Sequence, residues 1–256
     1  MSHASGEPGV GAVIGEQVEK FFEHTPRFKN QDGIIKPDLL ASKSFVVVGA
    51  GAIGSFFTMT LAKMGAREIV VYDDDRIANH NIANQMYPML HVGRTKTDAL
   101  ADVVRSYSGE TIHTIPHKWD GQVAEYVVSC VDSMAARSEI YAKAKAAGSI
   151  YLDGRMGAEV IRAYCIDTRS PEQCAFYERT LYTDAAAEEA RCAVKSIIYT
   201  VLVVSGILLD MVRRQIVGAV NPQEVLCDLT MYRMEPTFVR PSVVPAESIP
   251  ASDGDI

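Results

Sequence analysis

The chain has 256 residues, of which 48% are hydrophobic and 22% charged; this is ordinary globular usage, far from that of a disordered protein, and allows one large α/β domain. Its net charge of −7 offers no field for a polyanion, so nucleic acid is not an expected partner. The five cysteines (Cys130, Cys165, Cys174, Cys192, Cys227) form no C-x-x-C pair or disulfide framework, and residues 1–15 lack the cationic start and apolar run of a leader, so a reduced, cytoplasmic setting is expected.

Residues 1–26 read as an N-terminal arm with a short amphipathic helix at 16–23. The run S-F-V-V-V at 44–48 is too short for a helix and rich in β-branched residues, which predicts a strand buried on both faces. A helix over 53–64 follows, closed by Gly65, and then a strand over 68–72. The alternation continues with a helix near 96–107, strands near 111–115 and 126–131, a helix near 134–147 and a strand at 149–152. It predicts a doubly wound, mostly parallel, Rossmann-like sheet with helices on both faces. Residues 153–157 are expected to turn the chain toward the site. Segments 160–166 and 225–232 read as added antiparallel strands around a long helix near 194–216. The most apolar stretch, 197–209, is too short and interrupted for a membrane span and reads as a buried helix. The domain is placed at 27–234, and 235–256, rich in Pro, Ser and Asp, is expected to be a flexible or peptide-like tail.

Gly49-Ala50-Gly51-Ala52-Ile53-Gly54 is a G-x-G-x-x-G between a buried strand and a helix, where close backbone approach and unpaired helix N–H groups can serve a phosphate. Asp73, 19 residues after Gly54, stands near the spacing of a ribose-binding carboxylate. NAD and ATP fit these two features equally, while Asp74 reads as a solvated loop residue.

The run from Asp73-Asp74-Asp75-Arg76 through Asn81, Asn84 and Gln85, followed by Lys96 and by Val131-Asp132-Ser133 with Arg137, resembles the ubiquitin-activating superfamily of adenylating enzymes, which includes activators of sulfur-carrier proteins. The resemblance spans roughly residues 27–220. It implies that Asp73, with Asp75 beside it, holds the ATP ribose. Asn81 and Lys96 contact ribose and phosphates, Asn84 and Gln85 stand in the family's R-Q position, and Asp132, with Ser133 beside it, holds Mg²⁺. The chemistry agrees, because a carboxylate attacking an α-phosphorus brings two anions together and needs a cation and a metal to meet the charge. The implied partners are a small ubiquitin-like or sulfur-carrier protein, a second copy in a homodimer that shares N-terminal arms, and a possible conjugating enzyme.

Two family arginines are replaced. Arg27-Phe28-Lys29-Asn30-Gln31 stands where R-Y-x-R-Q is usual, and Asn84 stands for the arginine of N-L-x-R-Q; Arg27, Lys29 or Arg76 could supply the charge from a shifted Cα. Ala52 replaces a third glycine, Ser133 replaces the Asn of D-N, and the family's paired C-x-x-C zinc site is missing. Cys192, with Cys174 as a second candidate, stands in the stretch where relatives place a thioester cysteine. Arg155 is a candidate for the carrier's C-terminal tail. His113 and His117 read as ordinary polar residues. Two readings outside this chemistry remain: an activity-poor binding module that docks a ubiquitin-like partner, and a nicotinamide-dependent oxidoreductase.

Overall fold

The computed structural model describes residues 27–182 and 197–239. The strands are β1 (Ser44–Val48), β2 (Glu68–Tyr72), β3 (His113–Ile115), β4 (Tyr126–Ser129), β5 (Ile150–Gly157), β6 (Val160–Asp167), β7 (Glu224–Asp228) and β8 (Arg233–Thr237). They form one sheet in the order β3-β2-β1-β4-β5-β6-β7-β8. The first five are parallel, and β6, β7 and β8 continue the sheet antiparallel. The doubly wound fold with added antiparallel strands is therefore present as expected.

The helices are α1 (Pro37–Ala41), α2 (Ala52–Met64), α3 (Lys96–Ser108), α4 (Met134–Ala147), α5 (Pro171–Glu178) and α6 (Ile198–Ile216). Side chains alternate along β1, so Phe45 and Val47 enter one core with α2, α3 and α6, while Val46 and Val48 enter the other with α4 and α5. Three of these helices are stopped or started by local chemistry. Gly65 ends α2 at φ 111°, Thr95 caps α3 by accepting from Asp98 N–H, and Ser133 caps α4 by accepting from Ala136 N–H. Along α6, Val201, Val204, Ser205, Leu208, Leu209 and Val212 are buried at helical spacing, which seats it against α2, β5 and β6. No helix among the described residues is long and apolar enough to cross a membrane.

Several expected boundaries move. Residues 153–157 do not turn: they continue β5, paired with β6 from Asp153↔Tyr164 to Gly157↔Val160. The strand expected at 225–232 is β7, which ends at Asp228, and the chain then turns through Tyr232 at φ 50° into β8. Because β8 runs to Thr237, the segment read as a tail from 235 opens in an edge strand, where Pro236 is tolerated. The short helices α1 and α5, each with proline in its first turn, were not anticipated. The 16–23 helix expectation lies outside the described residues.

Candidate functional site

The glycine loop lies at the carboxyl end of β1, between β2 and β4. The helices that follow β1 and β4 cover opposite faces of the sheet, so this is the topological switch point, where open α/β sheets bind ligands. The glycines have different jobs. Gly49 has φ 97°, and a Cβ there would stand 2.6 Å from the Cys130 carbonyl oxygen. A Cβ on Gly54 would stand 1.9 Å from the Gly49 carbonyl oxygen, whereas one on Gly51 would meet nothing within 4 Å. The first and third glycines thus press loop, β4 and α2 together, and the second leaves space at the start of α2 for a ligand. Ala52, in the family's glycine position, is the first residue of α2. Gly54→Ala is expected to displace the start of α2, costing about 1–3 kcal/mol of stability and at least tenfold in nucleotide affinity, as read by thermal melting and calorimetry.

Asp73 closes the β2 side. Its Oδ2 accepts from Ala50 N–H at 2.7 Å and its Oδ1 from Asp75 N–H at 2.9 Å. Lys96, buried at the start of α3, places Nζ 2.7 Å from Asp75 and 3.7 Å from Asp73. Asp73, Asp75 and Lys96 are thus brought together, as the resemblance implied, and Asp74 is exposed. Asn81 Oδ1 accepts from Ala78 N–H, so its amide group is left as the donor. Asn84 and Gln85 follow on the same turn, their N–H groups bonded to the Asn81 carbonyl, and Gln85 buries an Oε1 with no partner among the described residues. Met86 N–H donates to Ser55 Oγ and the Tyr87 hydroxyl to the Ala50 carbonyl, which ties this loop to α2 and the glycine loop.

On the other side, Cys130 N–H donates to the Val48 carbonyl, so β4 delivers Asp132 two residues beyond the loop contact. Asp132 is exposed, and Ser133 spends its hydroxyl on capping α4. Burial pushes the Cys130 thiol up to about 12, so it remains a neutral thiol beside the glycine loop.

Behind this loop stands a buried charge network that the sequence did not disclose. Arg137 donates from Nη2 to the Val131 carbonyl at 2.6 Å and is ion-paired with Asp153. Burial and then the neighbouring Arg155 lower the Arg137 pKa, with Tyr151 opposing. Asp153, with no exposed surface, also accepts from Arg155 Nε at 2.7 Å and from the Tyr177 hydroxyl at 2.9 Å. Arg155 lies over Tyr164 and Tyr177 and donates to the Thr180 carbonyl and hydroxyl. Its guanidinium is therefore committed internally, which corrects the expectation that it would meet a carrier's tail.

Other candidates are not brought to this corner within the protomer. Arg27 donates to the Ser108 carbonyl and pairs with Glu110, at the far end of the α3 helix that Lys96 begins. At 1.5 Å per residue the 13-residue helix separates the two ends by about 18 Å. Phe28 packs on Gly65 and Gln31 bonds the Met64 carbonyl, so the whole N-terminal motif fastens the back ends of α2 and α3. Lys29 and Asn30 are exposed on this side, and Arg76, exposed next to Asp75, gives one N–H to the Gly93 carbonyl. Cys174 is buried on α5 with its thiol directed at the Thr168 carbonyl, which removes it as an alternative acceptor in this arrangement. Cys192 lies outside the described residues.

A glycine loop, a carboxylate at the end of the next strand and a buried lysine at a switch point define the class: a doubly wound α/β protein of the nucleotide-binding type. Residues 31–242 match the ThiF family model, and the chain belongs to that family. Over 153 residues it is 22% identical to ubiquitin-like modifier-activating enzyme 5 of Gallus gallus, covering 52% of this chain and 38% of that protein, so it spans well under half of that relative. Similar solved structures include E. coli MccB with AMPCPP and selenomethionine-labelled MccA, at a TM-score of 0.69 and 15% identity over 91% of this chain and 79% of that one. MccB with ATP gives the same values, and PaaA gives 0.66 and 16% over 93% and 78%. At such identities the likeness is one of fold, the adenylyltransferase-like ThiF fold.

Proposed function

We propose that the protein is a Mg²⁺- and ATP-dependent adenylating enzyme that activates the C-terminal carboxylate of a small ubiquitin-like or sulfur-carrier protein. The observation that carries this reading is the corner itself: an open glycine loop flanked by Asp73, the buried Lys96 and the exposed Asp132. The donor set fits the group. Gly51 leaves the space, Gln85 Oε1 is an unspent buried acceptor, and Asp132 offers the single hard oxygen ligand that suits a magnesium ion otherwise held by phosphate and water. ATP bound here supplies the adenylyl group and a pyrophosphate leaving group.

In this reading Asp73 takes the ribose hydroxyls, Asn81, Asn84 and Gln85 line the same side, and Lys96 with the first amides of α2 faces the phosphates. Lys96 is held by Asp75 until a phosphate draws it away, and Asp75, whose side chain is 67% exposed, is then solvated. Asp132, with Ser133 beside it, orients the metal. A thioester on Cys192, a conjugating enzyme beyond it, a homodimer in which Arg27 serves the partner's site, and a cytoplasmic setting complete the proposal.

Asparagine at positions 30 and 84 favours a second reading, a catalytically weak module that binds nucleotide and docks a ubiquitin-like partner. Calorimetry with Mg·ATP and with NAD, followed by ATP–pyrophosphate exchange in the presence of a carrier, separates the possibilities. Adenylation requires that Mg·ATP bind, NAD not bind, and exchange appear with the carrier. Binding without exchange supports the docking module, and binding of NAD alone overturns both in favour of an oxidoreductase.

A further inference from the structure

Ala50 is fixed at both of its peptide edges. Its N–H donates to Asp73 Oδ2 at 2.7 Å, and its carbonyl accepts from the Tyr87 hydroxyl at 2.6 Å. Ala50 has no exposed surface and Tyr87 only 3%, so water cannot stand in for that hydroxyl. Because a trans peptide is planar, the Gly51 N–H points opposite to the Ala50 carbonyl. With the carbonyl drawn inward to Tyr87, the Gly51 N–H is turned outward.

The peptide before a glycine is the easiest kind to flip. Rotation about Ala50 ψ and Gly51 φ would exchange the two groups, and Gly51 tolerates either sign of φ. A Cβ on Gly51 would meet nothing within 4 Å, so the space beside this residue is open. The flipped loop would present a carbonyl oxygen where an anionic phosphate needs a donor. A phenylalanine would fill the same core, since the Tyr87 ring packs among apolar neighbours; the hydroxyl is what acts on the loop.

We infer that Tyr87 is a positioning residue for polyphosphate recognition: its hydroxyl locks the Ala50–Gly51 peptide in the orientation that offers the Gly51 N–H to a nucleoside polyphosphate. This rests on the nucleotide reading above. Burial, and then the nearby Asp73 charge, raise the Tyr87 pKa well above its ordinary value, so it is a proton donor throughout the neutral range. Met86 N–H on Ser55 Oγ pins the neighbouring backbone, so the ring cannot drift away from its acceptor.

The test is Tyr87→Phe in the full chain, with Mg·ATP, Mg·ADP and phosphate-free adenosine titrated calorimetrically and the Gly51 amide followed by NMR. Loss of one hydrogen bond predicts about three- to tenfold weaker binding of ATP and ADP and unchanged adenosine binding. The Gly51 amide resonance is expected to broaden or split as two peptide orientations exchange, with a fall in melting temperature of several degrees from the unpaired Ala50 carbonyl. Unaltered ATP affinity, or a Gly51 resonance as sharp and placed as in wild type, overturns the inference, as does an equal loss for adenosine and ATP. If the wild type itself binds no nucleotide, the nucleotide reading has failed first, and the wild-type titration alone reports it.

Discussion

Lys96→Met is expected to reduce ATP–pyrophosphate exchange by about 10²–10³-fold while leaving the protein folded, because a preorganised charge at a developing anion is worth that much in the transition state. The structural cost is small. Asp75 is mostly solvated, and Asp73 keeps its two backbone donors when the ammonium, 3.7 Å away, is removed. The Asp75 pair, with its partner solvated, contributes about 0–1 kcal/mol, and the Asp73 contact, buried on both sides, adds about 1 kcal/mol. Activity and melting temperature should therefore separate: a large loss of exchange with a shift of no more than a few degrees. Asp132→Ala should behave alike, since the side chain is exposed, with its deficit showing as lost dependence on magnesium concentration. A Lys96→Met variant that exchanges at the wild-type rate would refute the role assigned to the lysine.

Asp153→Asn is expected to do the reverse and act first on stability. One fully buried carboxylate neutralises two guanidiniums, and its removal leaves Arg137 and Arg155 as uncompensated buried cations. Breaking a buried pair in this way costs about 3–5 kcal/mol, which for a chain of this size is a fall in melting temperature of roughly 10 °C. Arg137→Met alone leaves Asp153 with Arg155 and should cost less. Combining it with Asp153→Asn should be markedly non-additive, because the double variant buries one unpaired cation fewer. Urea unfolding of the two single variants and the double measures the coupling; additivity would mean that the network is not one unit. The Val131 carbonyl is held by Arg137, so Asp153→Asn should also weaken the hold on the loop that bears Asp132.

Much of the architecture was legible because its signals are local. The run at 44–48 and its counterpart at 68–72 carry their own hydrophobicity and β-branching, and both strands occupy those residues. Glycines 65, 109 and 148 mark helix ends because each takes the left-handed conformation of a C-terminal cap. The strands lost or mis-bounded are those whose identity depends on a neighbour. Residues 153–157 contain two glycines and read as a turn, yet β6 supplies the partner that keeps them extended. The edge strand β8 contains a proline and has no buried face to impose alternation, so only its pairing with β7 defines it.

The site divides in the same way. Sequence by itself marked the glycine loop and the carboxylate at the end of β2, because strand-end placement and spacing along the chain encode them, whereas Lys96 and Asp132 stood out only through the resemblance to the adenylating superfamily. Tertiary structure alone decided that Arg27 stands at the far end of α3 within the protomer, that Arg155 is held by Asp153 and Thr180, that Asp153 joins two arginines, and that Tyr87, 37 positions from Ala50, reaches its carbonyl. The physical reason is that such pairings arise between segments distant along the chain, and a buried charge or hydroxyl acquires its partner only when packing removes water from around it.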